Sequence, residues 1–263
     1  QSCDVFFYQV GESLGVDRLA NYARAMGLGA PTQLNLDQES HGLIPTTHWK
    51  RKRFNEPWQG GETLNIAIGQ GYNLVTPIQM AVLAAAVGNG GILYCPYLIE
   101  SVQTVDGRIT FSGGGKVANR LTIQPETLAQ VHQGLWEVVN SPKGTAFQSR
   151  FSGVEFSGKT GTAQVVGRAR ENEENGEAQR EAPKDHAWFV AYAPSESPEI
   201  AVAVIIEHGE HGSSAAAPVA REVIRTYLGL PEDHMTKAVD KALATRLGAM
   251  PEGPAEMLGE SRE

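Results

Sequence analysis

The rhythm of apolar and polar positions changes several times along this chain, and each change marks an element. After Ser2-Cys3-Asp4, the run Val5-Phe6-Phe7-Tyr8-Gln9-Val10 sets apolar residues at 7, 10 and 14, a helical spacing. Val16, Leu19, Ala23 and Met26 continue on one side, predicting a short helix capped by Asp17 and stopped at Gly27. Residues 28–64 lose any period and read as irregular and turn-rich. Thr76-Pro77 predicts a helix start with proline in its first turn, and Gly88-Asn89-Gly90-Gly91 predicts its stop after Val87. A further helix begins near Pro125, with Leu128, Val131, Leu135 and Val138 as a core stripe, and ends at Asn140-Ser141-Pro142. Residues 158–166, 187–192 and 200–206 then read as strands, the last two joined by a Ser195-Glu196-Ser197-Pro198 hairpin loop. Pro218 opens the last strong helix, with Val223, Ile224, Tyr227 and Leu228 facing inward. Loops and not crossover helices join the strands, which predicts antiparallel pairing. The expected fold class is α/β of the α+β type, a central antiparallel sheet flanked by helices.

The candidate chemistry sits on the first of those strands. Lys159-Thr160-Gly161-Thr162 places a cation before two hydroxyls that share one face, because side chains alternate along a strand. Gly161 removes a side chain where another backbone can lie close. A cation, paired hydroxyls and an open backbone edge suit a ligand with a carboxylate and a peptide-like amide, docked as an added strand. The same residues also match the phosphate-loop pattern G-x-x-x-x-G-K-[ST] from Gly153 to Thr160. That reading needs a buried strand before the glycines and a helix after the lysine. The polar stretch 143–150 and the β-rich Thr-Ala-Gln-Val-Val speak against both. At the other end, Ser2-Cys3-Asp4 is most simply a helix N-terminus with a capping side chain.

Taken together, Ser2-Cys3-Asp4 and Lys159-Thr160-Gly161 resemble the second and third motifs of the penicillin-recognising serine enzymes. Ile68-Gly69-Gln70-Gly71-Tyr72, Thr76-Pro77-Ile78-Gln79-Met80-Ala81 and Trp188-Phe189-Val190-Ala191-Tyr192-Ala193-Pro194 extend the likeness in the expected order. The chain resembles the C-terminal part of a class B penicillin-binding protein transpeptidase domain, in the elongation-type penicillin-binding protein 2 group. The likeness covers residues 1–230; residues 231–263 read as a polar, frayed tail. No serine is followed three residues later by lysine, so the S-x-x-K nucleophile motif is absent and the sequence reads as N-terminally truncated. The chain alone is therefore predicted inactive.

For the intact protein the resemblance implies peptidoglycan D,D-transpeptidation, crosslinking stem peptides by serine acyl transfer with β-lactam antibiotics as inhibitors. Ser2 and Lys159 become catalytic, with Lys159 supplying positive potential and Ser2 joining a proton-moving network. Thr160 and Thr162 hold the donor's terminal carboxylate, Gly161 opens the backbone, and the Thr162 N–H serves an oxyanion hole. Asp4 stands where asparagine is commoner, and an ionised carboxylate cannot donate to substrate as an amide does. A β-lactam-hydrolysing or β-lactam-sensing protein of the same fold is the alternative. The resemblance also implies a SEDS-family glycosyltransferase and other elongation-complex proteins as partners, at the periplasmic face of the bacterial inner membrane. No cofactor is required, although some relatives carry a structural zinc near the second motif, a role this allows for Cys3.

Composition adds exclusions. A net charge of −8 and a pI near 5.4 argue against nonspecific nucleic-acid binding. The longest apolar runs, such as 200–206, are far short of a membrane span. Cys95, beside Pro96, reads as a small buried apolar residue. Glu207-His208-Gly209-Glu210-His211 reads as a turn, not a metal site. The basic cluster Lys50-Arg51-Lys52-Arg53 reads as a solvated loop. Between 167 and 186, 10 of 20 residues are Arg, Lys, Asp or Glu, which predicts a mobile loop beside the cleft.

Overall fold

A computed structural model describes residues 2–34, 36–165 and 183–233. Most of the charged segment and nearly all of the tail therefore lie outside the described residues. Seven α-helices and seven strands occur among the described residues, in an order that alternates helical and extended blocks. The N-terminal block is helical: α1 (Asp4–Leu14), α2 (Val16–Ala25), α3 (Thr47–Phe54), α4 (Gly60–Ala67) and α5 (Pro77–Gly88). Two ribbons follow, β1 (Ile92–Tyr94) with β4 (Val117–Arg120), and β2 (Ser101–Gln103) with β3 (Ile109–Ser112). Helix α6 (Pro125–Asn140) then leads to β5 (Ser157–Ala163), β6 (His186–Ala193) and β7 (Ile200–Ile206), and α7 (Ala217–Tyr227) closes the fold.

The three predicted strands form one antiparallel sheet in the order β5-β6-β7. Alternation along β6 puts Ala187, Phe189, Ala191 and Ala193 on one face, all buried. These pack with Phe156, Val139, Ala217, Ala220 and Ile224 into the main core, so α6 and α7 cover this face. Tyr192 points the other way, toward Gly88 of α5. A Cβ at Gly88 would lie 2.9 Å from the Tyr192 ring, so helix and sheet approach closely there. Helix α5 starts as the sequence predicts, with Thr76 and Gln79 forming a reciprocal capping box around Pro77.

Several expectations need correction. Asp17 does not cap its own helix, which follows Gly15; its carboxylate accepts from the N–H and hydroxyl of Thr47, at the start of α3. Residues 28–64 are not wholly irregular, since they contain α3 and most of α4. The basic cluster lies on α3, where Lys50 is 3% exposed and donates to Glu62 at 2.5 Å. Thr46 caps this helix through Trp49 N, and Trp49 packs edge-on against Phe54 and Tyr72. Charge hid the helix, because a periodicity reading counts lysine and arginine as solvated. The α6 stripe is buried only at its C-terminal end: Val131 is exposed, whereas Val138 and Val139 are buried. On α7, Val223 and Tyr227 are exposed, and Ala217, Ala220, Arg221 and Ile224 form the inner face. The Arg221 guanidinium lies over the Phe151 ring at 4.5 Å and pairs with Glu222 and Asp233.

Candidate active site

Strand β5 is poor in apolar residues, and its conformation is imposed by its neighbour. Seven residue pairs align it with the apolar β6, from Ser157 opposite Tyr192 to Ala163 opposite His186. Gly158 fits where a Cβ would lie 2.6 Å from the Phe189 ring and 2.7 Å from the Val190 carbonyl. Lys159 and Thr160 therefore lie in mid-strand and not at the mouth of a helix, which overturns the phosphate-loop match. On the opposite edge from β6, no strand pairs with β5 among the described residues.

Across that open edge stands the α1–α4 unit, in which Gly11 packs directly on Ala67. Helix α1 begins at Asp4, and its N-cap, Cys3, makes no side-chain capping bond. Ser2 does not cap the helix either. Its hydroxyl instead accepts from Lys159 Nζ at 2.7 Å, across 157 residues of sequence. Lys159 Nζ also donates to the Thr160 carbonyl at 2.7 Å, so the ammonium curls onto the open edge. Burial pushes the Lys159 ammonium below the ordinary lysine value of 10.5, and the Asp4 carboxylate partly offsets that shift.

Thr160 and Thr162 share one face, because they stand opposite Phe189 and Ala187. The Thr160 hydroxyl is bonded to the Thr145 hydroxyl at 2.9 Å, whereas Thr162 is exposed. Gly161 stands opposite Trp188, and the backbone of Gly212 lies against it: a Cβ on Gly212 would come within 2.6 Å of the Gly161 carbonyl. Two residues at the site escaped the sequence reading as site residues. Thr145 comes from the loop after α6. Gln70, from the turn after α4, donates from Nε2 to the Thr162 carbonyl at 2.8 Å and accepts from Gln164 N at 3.3 Å. Its sequence signals are its place in the Ile68-Gly69-Gln70-Gly71-Tyr72 stretch that carries the family likeness and the flanking glycines, 69 and 71, both at positive φ.

Cys3 is an exposed free thiol, and Cys95 is buried as expected. Among the described residues no group of three or more His, Cys, Asp or Glu side chains converges on a metal position. The residues present thus do not make up a zinc site around Cys3. The 207–211 segment is a turn, in which His208 N donates to His186 Nδ1 at 3.0 Å. No helix among the described residues is long and apolar enough to cross a membrane.

Comparison with known proteins gives one family and several relatives. The family described as the penicillin binding protein transpeptidase domain matches residues 1–225. The peptidoglycan D,D-transpeptidase MrdA of Haemophilus influenzae is 36% identical over 232 residues, 87% of this chain and 35% of its own length. MrdA of Escherichia coli K12 is 36% identical over 235 residues, 85% of this chain and 35% of its own length. Among solved structures, Pseudomonas aeruginosa PBP2 in complex with WCK 5153 superposes with a TM-score of 0.71 at 36% identity, covering 86% of this chain and 45% of that one. Helicobacter pylori PBP2, solved as a complex with MreC, gives a TM-score of 0.67 at 30% identity, covering 91% of this chain and 38% of that one. The chain thus spans about a third of the length of the curated relatives it matches.

Proposed function

This chain belongs to the penicillin-binding protein transpeptidase family, and we propose that it forms most of the active-site frame of an elongation-type peptidoglycan D,D-transpeptidase. The observation that carries the proposal is the 2.7 Å bond from Lys159 to Ser2, which joins two motifs far apart in sequence at one open strand edge. In this reading a serine supplied from outside these residues attacks the penultimate D-alanine carbonyl of a stem peptide. Ser2 relays the proton between that serine and the leaving amine, held in place by Lys159. A donor peptide lies along the free edge of β5 as an added strand. Its terminal carboxylate meets the Lys159 potential and the Thr160 and Thr162 hydroxyls, and the Thr162 N–H faces the developing oxyanion. Asp4 acts on the electrostatics of Lys159 and not as a donor to substrate.

β-Lactams would occupy the same edge, and solved relatives include an imipenem acyl-enzyme complex of penicillin-binding protein A from Mycobacterium tuberculosis. Elongation-complex partners, among them a SEDS-family glycosyltransferase, and a place at the periplasmic face of the inner membrane go with the same proposal. A β-lactam hydrolase of this fold is the weaker reading, because the curated relatives from Haemophilus influenzae and Escherichia coli are D,D-transpeptidases. The test is labelling with a fluorescent penicillin. A protein extended upstream to include an S-x-x-K segment is expected to label covalently, and the 263-residue chain is not. Failure of both to label overturns the assignment.

A further inference from the structure

The free edge of β5 is already partly occupied by the chain itself. Successive residues of a strand present their N–H and C=O groups to alternate sides. Thr162 and Gln164 face away from β6, as their bonds to Gln70 show. One carboxamide thus satisfies the outward-facing Thr162 carbonyl and Gln164 N–H, two edge groups that the backbone of an added strand would otherwise pair with. The turn that presents it is well anchored. Gln70 N donates to Asn65 O at 2.9 Å, Gly69 N to Ile66 O at 3.0 Å, and the Asn73 amide to Ile66 O at 3.2 Å. The side chain is the free part; its two bonds lie at an exposed site.

We propose that Gln70 is a specificity-determining residue, whose carboxamide occupies edge groups that the donor backbone would pair with and must be displaced by any ligand that bonds to the Thr162 carbonyl. The proposal rests on the transpeptidase reading. It divides ligands by chemistry. Those bearing an amide N–H that reaches the Thr162 carbonyl compete with Gln70, and those without one leave it in place. Gln70 therefore lowers the resting affinity for poorly matched amides and is outbid by ligands that make both the carboxylate and the amide contacts.

The test uses the upstream-extended protein and two penicillins, one with an acylamino side chain and one lacking it. In Gln70→Ala the acylation efficiency of the acylamino compound is expected to rise about fivefold, the worth of one net exposed hydrogen bond, with no change for the other compound. Gln70→Glu is expected to behave alike, because a carboxylate is repelled by the Thr162 carbonyl. The compound lacking the amide serves as the control for folding and chemistry. Equal changes for both compounds, or a fall for the acylamino compound alone, would overturn the proposal. A second readout needs no variant: amide hydrogen exchange at Gln164 in the wild type should speed up on acylation by the acylamino penicillin only. Unchanged exchange with both compounds counts against displacement. A wild type that reacts with neither compound sinks the transpeptidase reading, whereas normal reaction without selectivity sinks only the role of Gln70.

Discussion

Lys159 is where a single residue carries most of the chemistry, and its proton is held under two opposed influences. Burial destabilises the ammonium and the Asp4 carboxylate supports it, with burial the larger. Between the lowered folded value and the ordinary 10.5, the unfolded chain holds a proton that the folded chain has released, so this group adds stability as pH rises through that window. The same titration limits activity in the opposite sense, because the positive potential of Lys159 is lost with its proton. Asp4→Asn removes the supporting charge, and the alkaline limb of the acylation rate in the extended protein should move to lower pH; a shift to higher pH would refute the pairing. Lys159→Ala should reduce that rate by about 100-fold, in line with loss of a preorganised charge at the reacting site. Lys159 and Ser2 were legible in the sequence because their neighbours form recognisable strings. Gln70 and Thr145 were not, since their partners lie 92 and 15 residues away and neither spacing has a local signature.

At the scale of elements, legibility followed apolar content. Strands β6 and β7 and helix α5 were read within a residue, because an apolar β6 and a proline-led cap leave few alternatives, whereas β5, poor in apolar residues, ends three residues earlier than its pattern suggests. Helices α3 and α4 were missed because their stability comes from an ion pair, a cap and an aromatic cluster, none of which has a period. Lys50→Met tests this directly. It leaves Glu62 without its buried partner and should lower the folding free energy by about 2 kcal/mol in a denaturant titration, less than for a fully buried pair because Glu62 is partly exposed. The inner face of α7 was misjudged for a related reason. Arg221 lies inside by stacking on Phe151 and pairing with two carboxylates, a solution that a hydrophobic stripe cannot announce.

For the whole molecule, one sheet organises everything else: α6 and α7 cover the face lined by Phe189, α5 covers the face lined by Tyr192, and the free edge of β5 looks onto the unit that carries Ser2. Phe189→Ala should therefore cost about 3–5 kcal/mol and reach the site as well, since Phe189 stands opposite Thr160; a melt that drops while penicillin labelling keeps its full rate would separate the two. The sheet's crowding has an evolutionary corollary. Gly158 is hemmed in by Phe189 and Val190, Gly161 and Gly212 are pressed together, and the Thr160 hydroxyl is tied to Thr145. A lineage selected to escape a strand-mimicking drug could hardly alter those positions without wrecking the strand itself. Adaptive change would be channelled to the rim, at Gln70, whose side chain reaches the edge from outside the sheet.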